Sequence, residues 1–173
     1  MSLHNRITSR LSPIHFPYAV GQGALAIEIR EHDPHMLQLL QTVEAVASRW
    51  PCLAERALLR TLQGGCSSPI GVWSFFYRKE THDERGGKIQ AARLRLHGRV
   101  IHPAGTREIS RSACHTVSSD ADAEALGIAL AKKLFAAGAD KLLTEIKQIE
   151  KDKIVANMDQ TTTNGKAMPI LGR

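Results

Sequence analysis

Between Ala92 and Ile101 the chain alternates with a period of two. Ala92, Leu94, Leu96, Gly98 and Val100 fall on one side, and Arg93, Arg95, His97, Arg99 and Ile101 on the other. A strand with one apolar and one basic face belongs to a sheet that is covered on one side only. The remaining chain must therefore supply neighbouring strands and a covering layer. The apolar run Ile70–Tyr77 reads as the strand before it. The polar stretch from Arg78 to Gln90, with Gly86-Gly87 inside it, reads as a hairpin connection longer than the minimal one. His102-Pro103-Ala104-Gly105 is a turn, and Glu108–Val117 reads as a third strand. The expected class is α+β, a three-stranded antiparallel sheet with helices on one face.

The helices come from the 3.6-residue pattern. Asp33-Pro34 is a helix start, with Asp33 as N-cap and Pro34 at the first helical position. Met36, Leu39, Leu40, Val43 and Val46 then form one apolar stripe, which reads as a packing face until Trp50-Pro51 ends the helix. Glu55 opens a second helix carrying Leu58, Leu59 and Leu62. After the sheet, Asp120 caps a helix with Leu126, Leu130 and Leu134 on one face, ended by Gly138. Leu142, Leu143, Ile146 and Ile149 continue as a further helix, with Lys141, Glu145, Lys147, Glu150 and Lys151 on its solvated side. From residue 157 onward periodicity is lost. Towards the N-terminus, Leu25, Ile27 and Ile29 alternate with Ala26, Glu28 and Arg30, the mark of a strand at 24–30.

Composition excludes several classes. No apolar run in the 173 residues approaches the roughly 18–20 of a membrane span. Met1 to Arg10 is polar, without the core of a signal peptide. The three cysteines, Cys52, Cys66 and Cys114, show no paired spacing, which favours free thiols and a reducing, cytoplasmic setting. His32 and His35 straddle Asp33-Pro34 and lack further ligands at metal spacing, so no metal site is expected. Gly21-x-Gly23 is not a dinucleotide loop, because Ala26 stands where the next glycine belongs and a strand, not a helix, follows. A net charge of +6 and the row Arg93, Arg95, Arg99 allow a basic nucleic-acid-binding module. The aromatic content is only 5%, however, and the basic strand has no interleaved aromatics for base stacking. A solvated strand face is the expectation for those arginines, and no nucleic-acid partner is expected.

Gln63-Gly64-Gly65-Cys66-Ser67-Ser68-Pro69 lies between the second helix and the first strand of the sheet. The glycine pair favours a helix end, because glycine enters the left-handed region without a Cβ penalty. Cys66 follows on a tight turn where backbone bulk is smallest, a place to present a thiol to a bulky ligand. A loop cysteine is more often a small buried hydrophobe. Here the flanking residues weigh against that. Residues 63–70 resemble the cofactor-attachment loop of the hydroxymethylbilane synthase (porphobilinogen deaminase) family: a helix ending in Glu/Gln-Gly-Gly-Cys, one or two small or polar residues, then Pro-Ile/Val. Ser68 stands where that family more often has a small apolar residue. Val20-Gly21-Gln22-Gly23-Ala24 resembles a second hallmark of the same family.

The resemblance runs from about Val20 to Ile146. It implies that residues 51–150 are the C-terminal, dipyrromethane-attachment domain. Residues 20–50 would be a strand and helix from the preceding α/β part, 1–19 an irregular remnant or artificial start, and 151–173 a frayed tail. It also implies a transferase of heme biosynthesis that joins four porphobilinogen molecules into hydroxymethylbilane with release of ammonia. Cys66 would hold the dipyrromethane cofactor by a thioether, a bond suited to a soft sulfur nucleophile. Gly64 and Gly65 would shape the loop, and Gln22 would make a weak cofactor or substrate contact. The partners implied are porphobilinogen and the growing polypyrrole. The family's catalytic carboxylate lies in a stretch that these residues do not contain. No residue here is therefore assigned a catalytic role, and the chain is expected to be inactive alone and without cofactor. A strand at 24–30 without its sheet seeks another edge, so it is expected either to pair two copies or to dock irregularly. The competing readings are the basic nucleic-acid module and a noncatalytic interaction domain.

Overall fold

The computed structural model describes residues 3–63, 68–82 and 88–164, the side chains of 78–82, 88–91 and 156–164 apart. After a short 3-10 turn at His4–Arg6, the described elements are α1 (Pro34–Gln41), α2 (Val46–Thr61), β1 (Ile70–His82), β2 (Lys88–Ile101), β3 (Glu108–Val117), α3 (Asp120–Ala136) and α4 (Ala139–Asn164). The strands form one antiparallel sheet in the order β1-β2-β3. The fold is α+β, with the helices over one face, as the alternation in β2 requires.

Register carries that alternation across the sheet. Val72 lies opposite Gly98, Ser74 opposite Leu96, and Leu96 in turn opposite Ala113. Ile70, Val72, Leu94, Leu96, Val100, Ala113 and Val117 are buried on the inner face, under Leu58 and Leu62 of α2 and Leu130 and Leu134 of α3. Leu142, Leu143 and Ile146 of α4 complete the core. Each fully buried leucine contributes on the order of 1.5–3 kcal/mol. Two glycines allow the close approach. A Cβ at Gly98 would meet Leu58, Leu134 and Leu130 at 3.0, 3.2 and 3.4 Å, and one at Gly127 would lie 2.1 Å from the Ala54 carbonyl oxygen. Arg49 and Trp50 in the first turn of α2 grip Asp120 in the first turn of α3, with Nε–Oδ1 distances of 3.0 and 3.1 Å.

Some boundaries differ from the sequence reading. Trp50-Pro51 does not end a helix, and Glu55 does not open one: α2 begins at Val46 and runs through both. Proline removes one ladder hydrogen bond, but Trp50 and Pro51 are buried against the core, which holds the helix through that point. Asp33 does cap α1, its Oδ1 accepting from the Met36 N–H at 3.0 Å. The stripe that follows is not a continuous packing face: Met36 and Leu40 are half-buried, and only Val46, already in α2, packs against the core. α1 buries no residue, and Leu37, Leu39 and Val43 are exposed. Residues 24–30 form no strand, and Leu25 is 98% exposed. A lone strand has no ladder to satisfy its backbone, so period-two patterning cannot make one. Both hairpin strands extend further than expected, to His82 and from Lys88, while Gly86-Gly87 lies outside the described residues. Ser119, not Asp120, caps α3, its hydroxyl accepting from the Asp122 N–H. α4 continues to Asn164, past residue 150 where the tail was expected to begin, and 165–173 lie outside the described residues.

Candidate functional site

Val20 to Ala24 form a tight turn. Gly21 and Gly23 have φ of +69° and +84°, a region that favours glycine. The Gln22 side chain folds back onto this turn, its Oε1 accepting from the Ala19 N–H at 2.9 Å. The turn is fastened to α2 by Glu55. One carboxylate oxygen of Glu55 accepts from the Gly21 N–H at 2.9 Å, and the other from the Ser74 hydroxyl of β1 at 2.7 Å. Glu55 is only 8% exposed. A buried carboxylate must have partners, and both of its described partners come from other elements. Nearby, Tyr18 and Val72 exchange two backbone hydrogen bonds of 2.8 Å. Pro17 rests on Gly71, where a Cβ would lie 2.5 Å from its Cγ. Between this segment and the sheet lies a cavity of about 440 Å³, lined by Tyr18, Gln22, Glu55, Trp73, Ser74 and Phe75 among others.

Sequence reading named Gln22 but missed Glu55. The signal was present: Glu55 precedes Leu58 by three residues and Leu62 by seven, on the flank of α2 that faces the core. The basic row of β2 also divides. Arg93 and Arg95 are exposed, as expected. Arg99 is half-buried, donating to the Ile14 carbonyl at 3.0 Å and lying 3.6 Å from Glu108. It holds the N-terminal segment on the sheet rather than facing water.

At the end of α2, Gln63 takes the left-handed conformation expected of the glycines, with φ of +53°. Gly64, Gly65 and Cys66 lie outside the described residues. Their flanks are described: Gln63 is exposed and Ser68 half-buried, and the Pro69 carbonyl accepts from the Ile101 N–H at 3.1 Å. The connection from α2 to β1 thus leaves and re-enters the fold at fixed points, one at the surface. Of the other cysteines, Cys52 is half-buried, and burial pushes its thiol above the ordinary value. Cys114 is exposed and accepts from Arg93 Nε at 3.2 Å. Among the described residues no group of three or more His, Cys, Asp or Glu side chains could hold a metal ion. No described helix is long and apolar enough to cross a membrane.

The family profile for the porphobilinogen deaminase C-terminal domain matches residues 50–136. The porphobilinogen deaminase of Debaryomyces hansenii is 40% identical over 146 residues, 84% of this chain and 37% of that protein. That of Candida albicans is 40% identical over 146 residues, 84% of this chain and 39% of its own length. The cyanobacterial protein of Synechococcus elongatus is 40% identical over 146 residues, with 84% and 41% covered. The chain spans about two fifths of the length of the curated relatives it matches. The matched span takes in α2 from Trp50 onward, the sheet and α3, and the chain belongs to the porphobilinogen deaminase C-terminal domain family.

Proposed function

We propose that this chain is the cofactor-attachment part of a hydroxymethylbilane synthase, a transferase of heme biosynthesis that acts in the cytoplasm on porphobilinogen and releases ammonia. The observation that carries this reading is Gln63-Gly64-Gly65-Cys66 at the junction of α2 and β1, inside the family match at 50–136. In this reading the Cys66 sulfur holds a dipyrromethane by a thioether. The described flanks fit such a group: the exposed Gln63 brings the chain to the surface, where a two-ring adduct has room. The dipyrromethane, when bound, supplies the pyrrole end onto which further units are joined. This chain's own residues anchor and position. Gly64 and Gly65 keep the backbone slim beside the sulfur. Gln22 meets the cofactor or substrate from a turn that Glu55 locks to α2. No residue here is assigned to proton transfer or to stabilising charge on a pyrrole, and the 173 residues alone are expected to be inactive.

The test is the intact mass of the chain purified from cells that make porphobilinogen, with peptide mapping. The chain made alone is expected to keep its unmodified mass; made beside a complete synthase, an added mass of two linked pyrroles on the Cys66 peptide, absent from Cys66→Ser, marks the attachment site. An adduct on Cys52 or Cys114 instead overturns the assignment of Cys66. Conversion of porphobilinogen by the purified chain alone overturns the expectation that it is inactive.

A further inference from the structure

The sheet face away from the helices carries an arrangement that β2 alone does not reveal. The register sets Trp73 opposite His97, Phe75 opposite Arg95 and Tyr77 opposite Arg93. An aromatic row on the edge strand thus runs beside a basic row on the central one. Phe75 and Tyr77 are each 48% exposed, with ring centroids 4.3 Å apart. Arg93 and Arg95 are exposed, and no described carboxylate pairs with either. Their neighbours on β3 are Thr116 and Cys114, both uncharged. Trp73, stacked on His97 with centroids 5.9 Å apart, continues the row towards the N-terminal segment. Two adjacent exposed aromatics are an uneconomical solvent surface. The two guanidinium groups beside them, that of Arg93 also donating from Nε to Cys114 Sγ at 3.2 Å, add a field that attracts anions.

We propose that this open face binds single-stranded nucleic acid, with bases stacking on Phe75 and Tyr77 and phosphates meeting Arg93 and Arg95. Stacking platforms beside a basic track are how sheet surfaces hold unpaired strands, since every base has a π-face. A duplex hides those faces. The absence of aromatics within the basic strand, which counted against such binding in the sequence, does not hold for the sheet: the hydrogen-bonded neighbour supplies them. This inference uses neither the Cys66 thiol nor the Gln22 side chain, although Phe75 also lines the cavity beside the Gln22 turn.

The experiment is fluorescence anisotropy of the 173-residue chain with labelled oligouridylate and oligothymidylate of equal length, beside a duplex and heparin. Single strands are expected to bind more tightly than duplex, and the two oligonucleotides separate RNA from DNA as the preferred ligand. The double variant Phe75→Ala with Tyr77→Ala should weaken binding by about tenfold or more. Arg93→Gln with Arg95→Gln should flatten the logarithmic salt slope by about 1.4, at roughly 0.7 per phosphate on a single strand. Tyr77→Phe keeps the ring and should keep the affinity. All four side chains are exposed, so the variants should retain the parent's circular dichroism. Duplex or heparin bound as well as single strands, unchanged affinity in the aromatic double variant, or no binding at low salt would each overturn the proposal.

Discussion

Glu55 shows how much one side chain can organise. It sits in the middle of an otherwise apolar flank of α2, and its two oxygens take donors from the Gly21 turn and from β1. A bland substitution would strand both donors in a buried place, and an unpaired buried donor costs more than the hydrogen bond itself contributes. Glu55→Ala is therefore expected to lower unfolding stability by about 1–3 kcal/mol, read from urea titrations. Glu55→Gln keeps one acceptor oxygen and should lose less. A change of the same size in both variants would mean that packing, not the two hydrogen bonds, sets the contribution of this position.

At the scale of elements, the tightest junction is α2 against α3. Gly127 lets the helices meet where a Cβ would overlap the Ala54 carbonyl oxygen and press on Ala57 and the Leu58 nitrogen, and these are backbone or short side-chain atoms that cannot turn aside. Gly127→Ala would ordinarily stabilise an exposed helix by up to about 1 kcal/mol. Here the helices must separate, and the expected result is a loss of about 3 kcal/mol, measured by the same denaturant titration. A stabilised variant would show that the α2–α3 spacing is looser than described. The Arg49 and Trp50 grip on Asp120 closes the same junction at its polar end. Sequence made both helices visible by their leucine spacing, but not this contact, since one glycine among alanines reads as a weak helix residue until a partner helix is placed against it.

For the molecule as a whole, acid should act through three groups among the described residues. Burial pushes His97 below its ordinary value of 6.5, with Arg99 adding to the effect. As pH falls the unfolded chain takes up this proton first, so stability is full above about pH 6.5 and declines below it. Hydrogen bonds from Arg49 hold Asp120 below the usual carboxylate range, and those from Ser118 do the same for Asp122. Their contributions are present above about pH 4 and are lost as pH falls through the lower folded values. A denaturation series should show two declines, and His97→Asn should remove the upper one alone. A curve flat from pH 7 to 5 would contradict the burial of His97.

The sequence by itself determined the sheet's two faces, the three strands and the helices over them, because a period of two or of 3.6 is a local property of the chain. It determined the family too, since Gln63-Gly64-Gly65-Cys66 and Gly21-Gln22-Gly23 are contiguous runs. Period alone was misleading at 24–30, which forms no strand, and along α1, where the apolar pattern buries no residue fully. Only the tertiary structure decided that Glu55 is a tie, because its partners lie 34 and 19 residues away in sequence. Only the register brought Phe75 and Tyr77 beside Arg95 and Arg93. Chain pairing sets which side chains stand opposite each other, and a one-residue slip would have turned these to the other face.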